Sequence, residues 1–143
     1  MRQVKHLLQG KGDQVFAVEP EQPVLQAIQA MADHHVGALL VMRGSELVGI
    51  VSERDYARKV ILLGRSSAET PVWQIMSTPV ETVTPEHRIE DCMRLCTQRR
   101  IRHLPVVDEQ RRVVGVVSIG DLVKAVIGEQ AEELAQLQRY IAG

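Results

Sequence analysis

The sequence predicts an α/β protein of the α+β kind, built from two copies of one strand-helix-strand-strand-helix (βαββα) unit. Two observations lead to this prediction: the 143-residue chain repeats itself, and apolar residues in each copy change from helical to strand spacing. With 45% hydrophobic and 24% charged residues, the composition is that of an ordinary globular protein. Neither copy would bury its sheet face alone, so we expect the two to fold together.

The repeat is visible in three segments of the first copy that recur in the second. The first two recur 65 residues later, as Pro20 does at Pro85, and the third recurs 66 residues later, as Asp55 does at Asp121. The added residue falls in a turn, where insertions are tolerated. The matched pairs are Val18–Pro20 with Val83–Pro85, Val36–Val41 with Ile101–Val106, and Gly49–Asp55 with Gly115–Asp121.

Each copy begins with a short strand, and an amphipathic helix follows its first proline, because apolar residues recur there at helical spacing. Thr84 followed by Pro85 fits an N-cap with proline at the first helical position. Second helices are predicted to begin at Ser52 and Ser118. The predicted strand pairs are Ala38–Met42 with Leu47–Val51 and Leu104–Val107 with Val113–Val117. The predicted boundaries are 1–66 and 67–128 for the two repeats and 129–143 for a C-terminal helix.

Cys92 and Cys96 stand four residues apart in a helical pattern. This spacing puts them on one helix face and differs from the CxxC spacing of metal or redox pairs. We interpret them as small buried hydrophobic residues in a reducing compartment.

Charge and hydropathy argue against several classes of protein. Residues 1–12 lack the unbroken apolar run of a signal peptide, and no stretch approaches the roughly 18 apolar residues of a membrane span. The net charge of −1 disfavours a general nucleic-acid binder. Residues 88–112 nevertheless hold seven arginines against four acids, which fits either a small-anion site or a solvated helix face. We predict a cytoplasmic protein with no membrane or nucleic-acid partner.

Each copy ends in the same motif: glycine, two apolar residues, serine, two variable residues and aspartate. Ser52 with Asp55, and Ser118 with Asp121, match a capping box, which requires no ligand. A ligand site is the alternative, because the motif recurs at equivalent positions and its glycine would let a ligand approach the backbone. A helix N-terminus offers N–H groups to an electron-rich group, and a carboxylate there can accept hydrogen bonds from both hydroxyls of a ribose.

Both copies resemble CBS (cystathionine β-synthase) domains, and together they resemble a Bateman module of the stand-alone bacterial type. The resemblance covers about residues 3–128, and its most specific matches are Gly49–Tyr56, Ile101–Val107 and Gly115–Asp121. It implies two repeats related by a pseudo-twofold axis and a regulatory role in signal transduction. Members of the family bind AMP, ADP, ATP, NAD or S-adenosylmethionine.

The resemblance further implies two nucleotide-binding clefts, each combining strands of one repeat with the motif of the other. One cleft would use Ser118, Gly120 and Asp121 together with Ala17, Val36, Gly37 and Ala38. The other would use Ser52, Arg54 and Asp55 together with Thr82, Arg102 and His103. Arginine suits phosphate because its planar fork binds two oxygens, whereas His103 fits either a ligand contact or a rim residue.

The sequence holds no HExxH, no GxSxG and no glycine-rich loop followed by lysine and serine or threonine. We therefore predict a sensor of adenine nucleotides, and not an enzyme, without a catalytic cofactor or a metal. Its partner would be a regulated enzyme or transporter. The alternatives are a dimeric scaffold with vestigial ligand sites, and a nucleic-acid binder or unrecognised enzyme.

The sequence also predicts a homodimer that forms through helical faces, as Bateman modules commonly do. The C-terminal segment carries one narrow apolar stripe. Packing of this stripe on its own module is the alternative. The apolar residues assigned to the interface are Leu134, Leu137 and Ile141 in the stripe, and Tyr56, Val60, Ile61 and Leu63 in the helix after Asp55.

Overall fold

Residues 2–12 and 14–142, which a computed structural model of the chain describes, form two units, each built around one copy of the repeat. One unit spans residues 14–81, and the other joins residues 2–12 to 82–142. In chain order the elements are α1 (Val4–Lys11), β1 (Ala17–Val18), α2 (Val24–His34), β2 (Ala38–Arg43), β3 (Glu46–Ser52), α3 (Glu53–Tyr56), a π-helical turn (Ala57–Ile61), a 3₁₀ turn (Val72–Gln74), α4 (Ile89–Arg99), β4 (His103–Val107), β5 (Val113–Ser118) and α5 (Ile119–Ala142).

The predicted α+β class and the order of elements in each repeat are confirmed. In the first repeat, β2 is the central strand of a sheet, parallel to β1 and antiparallel to β3. In the second repeat, β4 and β5 form an antiparallel pair, and Val83 joins Val106 in a single parallel bridge. That bridge stands where β1 stands in the first repeat, so the first strand of the second copy is reduced to one residue.

The N-terminal helix α1 packs in the unit of the second repeat, although the sequence analysis placed it with the first. The backbone N–H of Val4 donates to the carbonyl of His87 at 2.9 Å, and that of Ile89 donates to the carbonyl of Arg2 at 3.1 Å. Val4 itself is fully buried. The C-terminal segment is likewise continuous with the second-repeat helix, because α5 runs without a break from Ile119 to Ala142.

The predicted N-cap at Thr84, with Pro85 at the first helical position, is wrong. Helices α2 and α4 begin at Val24 and Ile89, several residues after Pro20 and Pro85. Each proline instead takes the second position of a turn, closed by Gln22 N–H to Glu19 O at 3.2 Å and by His87 N–H to Thr84 O at 3.1 Å. Proline has the same fixed φ at that turn position as at the first position of a helix, so the sequence pattern fits both.

Each unit has its own apolar core, and Cys92 and Cys96 lie in the second. Both cysteines are buried and free, as the sequence predicted. Burial, with smaller effects of Cys96 and Asp91, raises the pKa of the Cys92 thiol to about 11. Burial also raises the pKa of Cys96, so both thiols stay protonated and pack as hydrophobic groups. Core side chains include Leu39, Val41, Val51, Val60 and Ile75 in the first unit, and Val4, Leu104, Val106, Val117 and Leu122 in the second.

The prediction of an apolar surface after Asp55 is correct only in part. Ile61 and Leu63 are about 60% exposed, but Val60 is buried in the core and Tyr56 is half-buried against it. The π-helical turn over Ala57–Ile61 brings Val60 inward. Leu62, which the sequence analysis did not assign to the surface, is 75% exposed.

Candidate functional site

Both copies of the motif fold as a strand that runs directly into the N-terminus of a helix. Strand β3 ends at Ser52 and α3 begins at the next residue, whereas β5 ends at Ser118 and α5 begins at the next residue. Serine is favoured at this junction because its hydroxyl accepts a hydrogen bond from a helix N–H group that has no partner within the helix.

In the first motif, the capping box predicted from the sequence is confirmed. The Ser52 hydroxyl accepts from the Asp55 N–H at 3.2 Å, while the Ser52 N–H and hydroxyl each donate to Asp55 Oδ2 at 3.0 Å. Lys59 Nζ lies 3.3 Å from the other oxygen, Oδ1, and also donates to the Ile75 carbonyl at 2.9 Å. Both carboxylate oxygens of Asp55 are therefore engaged within the unit.

The second motif repeats the capping box but leaves one carboxylate oxygen uncommitted. The Ser118 N–H donates to Asp121 Oδ2 at 2.9 Å, and the Asp121 N–H donates to the Ser118 hydroxyl at 3.1 Å. Lys11 Nζ also donates to Oδ2, and it donates to the Val116 carbonyl at 2.8 Å. Oδ1 accepts no hydrogen bond from the residues that the structure describes.

The two lysines were not anticipated from the sequence. Lys59 follows Asp55 by four residues on a helix, so the rule for neighbouring side chains on one helix face would have found it. Lys11 reaches Asp121 from α1 across 110 positions of sequence, and no local pattern signals that contact.

The strand residues named in the sequence analysis lie beside the motif of their own repeat. In the first repeat, Ala38 pairs with Ser52 across the sheet, and the Gly37 carbonyl accepts from the Glu53 N–H at 3.1 Å. In the second, His103 pairs with Ser118, and the Arg102 carbonyl accepts from the Ile119 N–H at 2.8 Å. The pairing of each motif with strand residues of the other repeat stays a prediction.

The remaining named residues lie at the edges of these groups. Ala17, at the start of β1, is exposed and pairs with Leu40. Val36 is half-buried after α2, and Thr82 is half-buried beside the Val83 bridge. Arg54, in the first turn of α3, is exposed.

The glycines before the motifs are needed for packing inside each unit, whereas the sequence analysis assigned them to ligand approach. A methyl group at Gly49 would lie 2.5 Å from Sδ of Met76, and one at Gly115 would lie 2.7 Å from a terminal methyl of Leu8. Side chains of the same unit therefore fill the space above both glycines. Gly120 differs, because a methyl group there would meet only the Ser118 hydroxyl, at 3.6 Å.

The second motif carries an unusual balance of charge. Burial opposes ionisation of Asp121, but hydrogen bonds from Lys11 and Ser118 outweigh it and hold the pKa of the carboxyl below its ordinary value. Burial also lowers the pKa of His103, and the charges of Lys11 and Arg102 lower it further against the opposing effect of Asp121. A neutral imidazole thus lies within electrostatic range of two cations and one carboxylate.

The described residues hold neither a metal-binding cluster nor a membrane-spanning helix. Residues 2–12 and 14–142 contain no group of three or more histidine, cysteine, aspartate or glutamate side chains placed to hold a metal ion. Over the same ranges, no helix combines the length and the apolar character that crossing a membrane requires.

Comparison with known proteins identifies the class. The CBS domain family matches residues 12–61 and 72–128, one match for each repeat. The chain therefore belongs to the CBS domain family, whose paired domains are regulatory modules.

Particular relatives support this assignment. The chain is 47% identical over 125 residues to a mitochondrial CBS domain-containing protein of Arabidopsis thaliana, a match covering 84% of this chain and 60% of that protein. A solved structure of a protein with CBS domains from Burkholderia ambifaria is 45% identical, with a TM-score of 0.85 over 90% of this chain and 96% of that one. The predicted cytoplasmic location stays a prediction.

One structural neighbour carries ligands. The CBS domain pair of the protein MJ0100, in complex with 5-methylthioadenosine and S-adenosylmethionine, has a TM-score of 0.80 over 90% of this chain and 98% of that chain. At 23% identity, this likeness shows a shared fold.

Proposed function

We propose that the chain is a regulatory sensor that binds adenine-containing nucleotides through its serine–aspartate motifs. The ligand class comprises AMP, ADP, ATP, NAD and S-adenosylmethionine. The observation that carries the proposal is the group around Asp121, whose carboxylate is bonded to Lys11 and whose neighbour His103, paired with Ser118 across the sheet, lies within electrostatic range of Lys11, Arg102 and Asp121. A carboxylate suits the two hydroxyls of a ribose, and the cations suit a phosphate.

The two motifs are not equivalent in this proposal. Both oxygens of Asp55 already accept hydrogen bonds or an ion pair, so a ribose would have to displace Lys59 as well as share the capping bonds. Oδ1 of Asp121 accepts no hydrogen bond from the described residues, and we expect its motif to bind the nucleotide more tightly. The engaged state of Asp55 favours the second candidate function, an interaction scaffold, for the first repeat.

The regulated activity would belong to another protein, an enzyme or transporter whose activity depends on whether this chain has nucleotide bound. A ligand shifts a conformational equilibrium only by its difference in affinity between two states. We propose that α5 transmits nucleotide occupancy to the partner protein. This 24-residue helix begins within the Asp121 motif and runs away from it to Ala142.

Calorimetric titration of the full chain with AMP, ATP, NAD and S-adenosylmethionine tests the proposal. Asp121→Ala should weaken binding of the bound nucleotide roughly tenfold to a hundredfold, the effect of losing hydrogen bonds to a charged group worth about 1.5–3 kcal/mol. Asp55→Ala should weaken binding less. Asp33→Ala, which removes an exposed acid from α2, should leave the affinity unchanged.

Asp121→Asn separates ligand binding from helix capping. Its amide oxygen still accepts the Ser118 N–H, so the cap is largely kept while the charge is lost. We expect Asp121→Asn to fold with nearly the stability of the native chain and to bind nucleotide weakly. A folded native chain that binds none of the four ligands at millimolar concentration would exclude the sensor and favour the scaffold.

A further inference from the structure

Lys11 occupies an acceptor position on Asp121, the carboxylate that is proposed to hold a ribose. A carboxylate oxygen has two lone pairs, and Oδ2 of Asp121 already accepts from the Ser118 N–H and from Lys11 Nζ. A ligand hydroxyl can still reach Oδ1. A second hydroxyl can bond to Oδ2 only if one of these two donors leaves. The Ser118 N–H is fixed in the backbone, so the donor that leaves must be the Lys11 ammonium.

We propose that Lys11 is a specificity-determining residue of the second motif, competing with the ribose hydroxyls for Asp121 so that phosphorylated nucleosides are favoured over free nucleosides. This inference rests on the proposed function and goes beyond it by naming the residue that selects the ligand. The motif that the sequence analysis singled out does not include Lys11.

The position of Lys11 is fixed by the packing of α1. Val4, at the other end of this helix, is fully buried, and Leu8 packs in the space above Gly115. The Val116 carbonyl holds the ammonium from a second direction, at 2.8 Å. The lysine is therefore presented to Asp121 by a docked helix, and two bonds hold its ammonium although its side chain is 37% exposed.

The preference for AMP over adenosine depends on whether the Lys11 ammonium finds a new partner after it leaves Asp121. A neutral nucleoside that takes both carboxylate oxygens leaves Lys11 without its carboxylate partner, and that loss opposes binding. A nucleotide brings an anionic phosphate, with which Lys11 can pair after it leaves Asp121. The cost of displacement is thus offset for AMP and not for adenosine.

Titration of the native chain and of Lys11→Met with adenosine, 2′-deoxyadenosine and AMP tests the inference. We expect Lys11→Met to bind adenosine roughly threefold to tenfold more tightly, the range for one partly exposed charge-assisted hydrogen bond. AMP affinity should stay unchanged or fall. The affinity for 2′-deoxyadenosine should rise little in Lys11→Met. This nucleoside lacks the 2′-hydroxyl, and its remaining 3′-hydroxyl can already bond to Oδ1 of Asp121 in the native chain.

Two variants serve as controls. Lys5→Met removes an exposed lysine from the same helix and should change no affinity. Arg102→Ala should weaken AMP binding without strengthening adenosine binding, so the gain for adenosine distinguishes Lys11 from a simple phosphate contact. In the Asp121→Asn background, Lys11→Met should no longer favour adenosine.

The possible failures are distinguishable. If the native chain binds AMP but Lys11→Met binds adenosine no more tightly, the inference is wrong and the proposed function stands. An equal gain for adenosine and 2′-deoxyadenosine would also overturn it, because the competition would not involve the second hydroxyl. If the folded native chain binds neither AMP nor adenosine, the proposed function fails and the inference fails with it.

Discussion

At the scale of single residues, Asp121 serves two purposes with one side chain. Its Oδ2 accepts a hydrogen bond from the Ser118 N–H and so stabilises the start of α5, while Oδ1 has no partner among residues 2–12 and 14–142. A helix cap and a ligand site are therefore compatible interpretations of the same motif. Asp55 has the same cap, but Lys59 occupies its second oxygen. The difference between the repeats depends on the position of one lysine in each.

His103 gives this arrangement a measurable pH dependence. Burial is the largest cause that lowers the pKa of its imidazole from an ordinary value of 6.5, and Lys11 and Arg102 lower it further. By nuclear magnetic resonance, we expect the His103 ring to titrate below pH 6.5. Lys11→Met should raise that midpoint because a nearby positive charge is lost, and Asp121→Asn should lower it because a negative charge is lost.

The same shift predicts how stability varies with pH. A lowered folded-state pKa means that the unfolded chain binds the proton more readily, so the His103 contribution is present above pH 6.5 and is lost as the pH falls below it. The loss levels off below the folded-state pKa. Urea unfolding of the native chain and His103→Gln should show a smaller decrease for the variant on acidification. A His103 midpoint above 6.5 would contradict this account.

At the scale of elements, the junction between strand and helix depends on the glycine that precedes it. Gly49 and Gly115 lie in β3 and β5, where Met76 and Leu8 pack directly over the backbone. Leu8 belongs to α1, so the contact at Gly115 docks the helix that presents Lys11. The glycine of the second motif therefore acts on the proposed site indirectly, through the position of α1.

Substitution of the two glycines tests this packing role. A methyl group at Gly49 would approach three atoms of Met76, including Cβ at 3.2 Å, which moves only with the backbone. At Gly115 the nearest atoms are the terminal methyls of Leu8, which can rotate away. We expect Gly49→Ala to lower the free energy of unfolding by roughly 1–3 kcal/mol, the range for overpacking, and Gly115→Ala to lower it less.

A double-mutant cycle provides the control for Gly115. In a Leu8→Ala background the clash is removed, so Gly115→Ala should cause no further loss of stability in urea unfolding. Additive effects of Leu8→Ala and Gly115→Ala would show that the two positions do not interact, and the packing role assigned to Gly115 would then be wrong.

Most elements could be predicted because their signals are local. Short β-branched runs separated by polar turns placed the ends of the four longer strands within one residue of their observed positions. The N-cap at Thr84 was predicted wrongly, because Pro85 fits a turn as well as the first position of a helix. The burial of Val60 and the contact of Lys11 with Asp121 depend on tertiary packing, for which a single sequence has no local pattern.

At the scale of the whole molecule, α5 extends well beyond the second-repeat core. It has 24 residues, about 36 Å at 1.5 Å per residue. Five of its exposed apolar residues recur alternately four and three residues apart, with Gln130 at the one polar position between them, which is the spacing of a coiled-coil seam; Tyr140 lies outside this pattern. The apolar positions of this seam are Val123, Ile127, Leu134, Leu137 and Ile141.

The seam faces away from its own unit. Glu132 pairs with Arg2 of the same unit at 3.1 Å, and it lies about 200° around the helix from Leu134 at 100° per residue. Leu134 and Leu137 are 56% and 55% exposed, and Ile141 is 75% exposed. The alternative that the stripe packs on its own module is therefore not favoured, and a second copy of the chain supplies a matching surface.

We expect the chain to sediment at micromolar concentration as a homodimer, at about twice its mass of 16.0 kDa. Replacing Leu134 and Leu137 together by glutamate places like charges along the seam, and should yield a 16.0 kDa monomer whose circular dichroism still shows the folded core. Gln136→Glu, which adds a charge on the opposite face of α5, should leave the dimer intact. A native chain that sediments at 16.0 kDa both with and without nucleotide would contradict pairing through this helix.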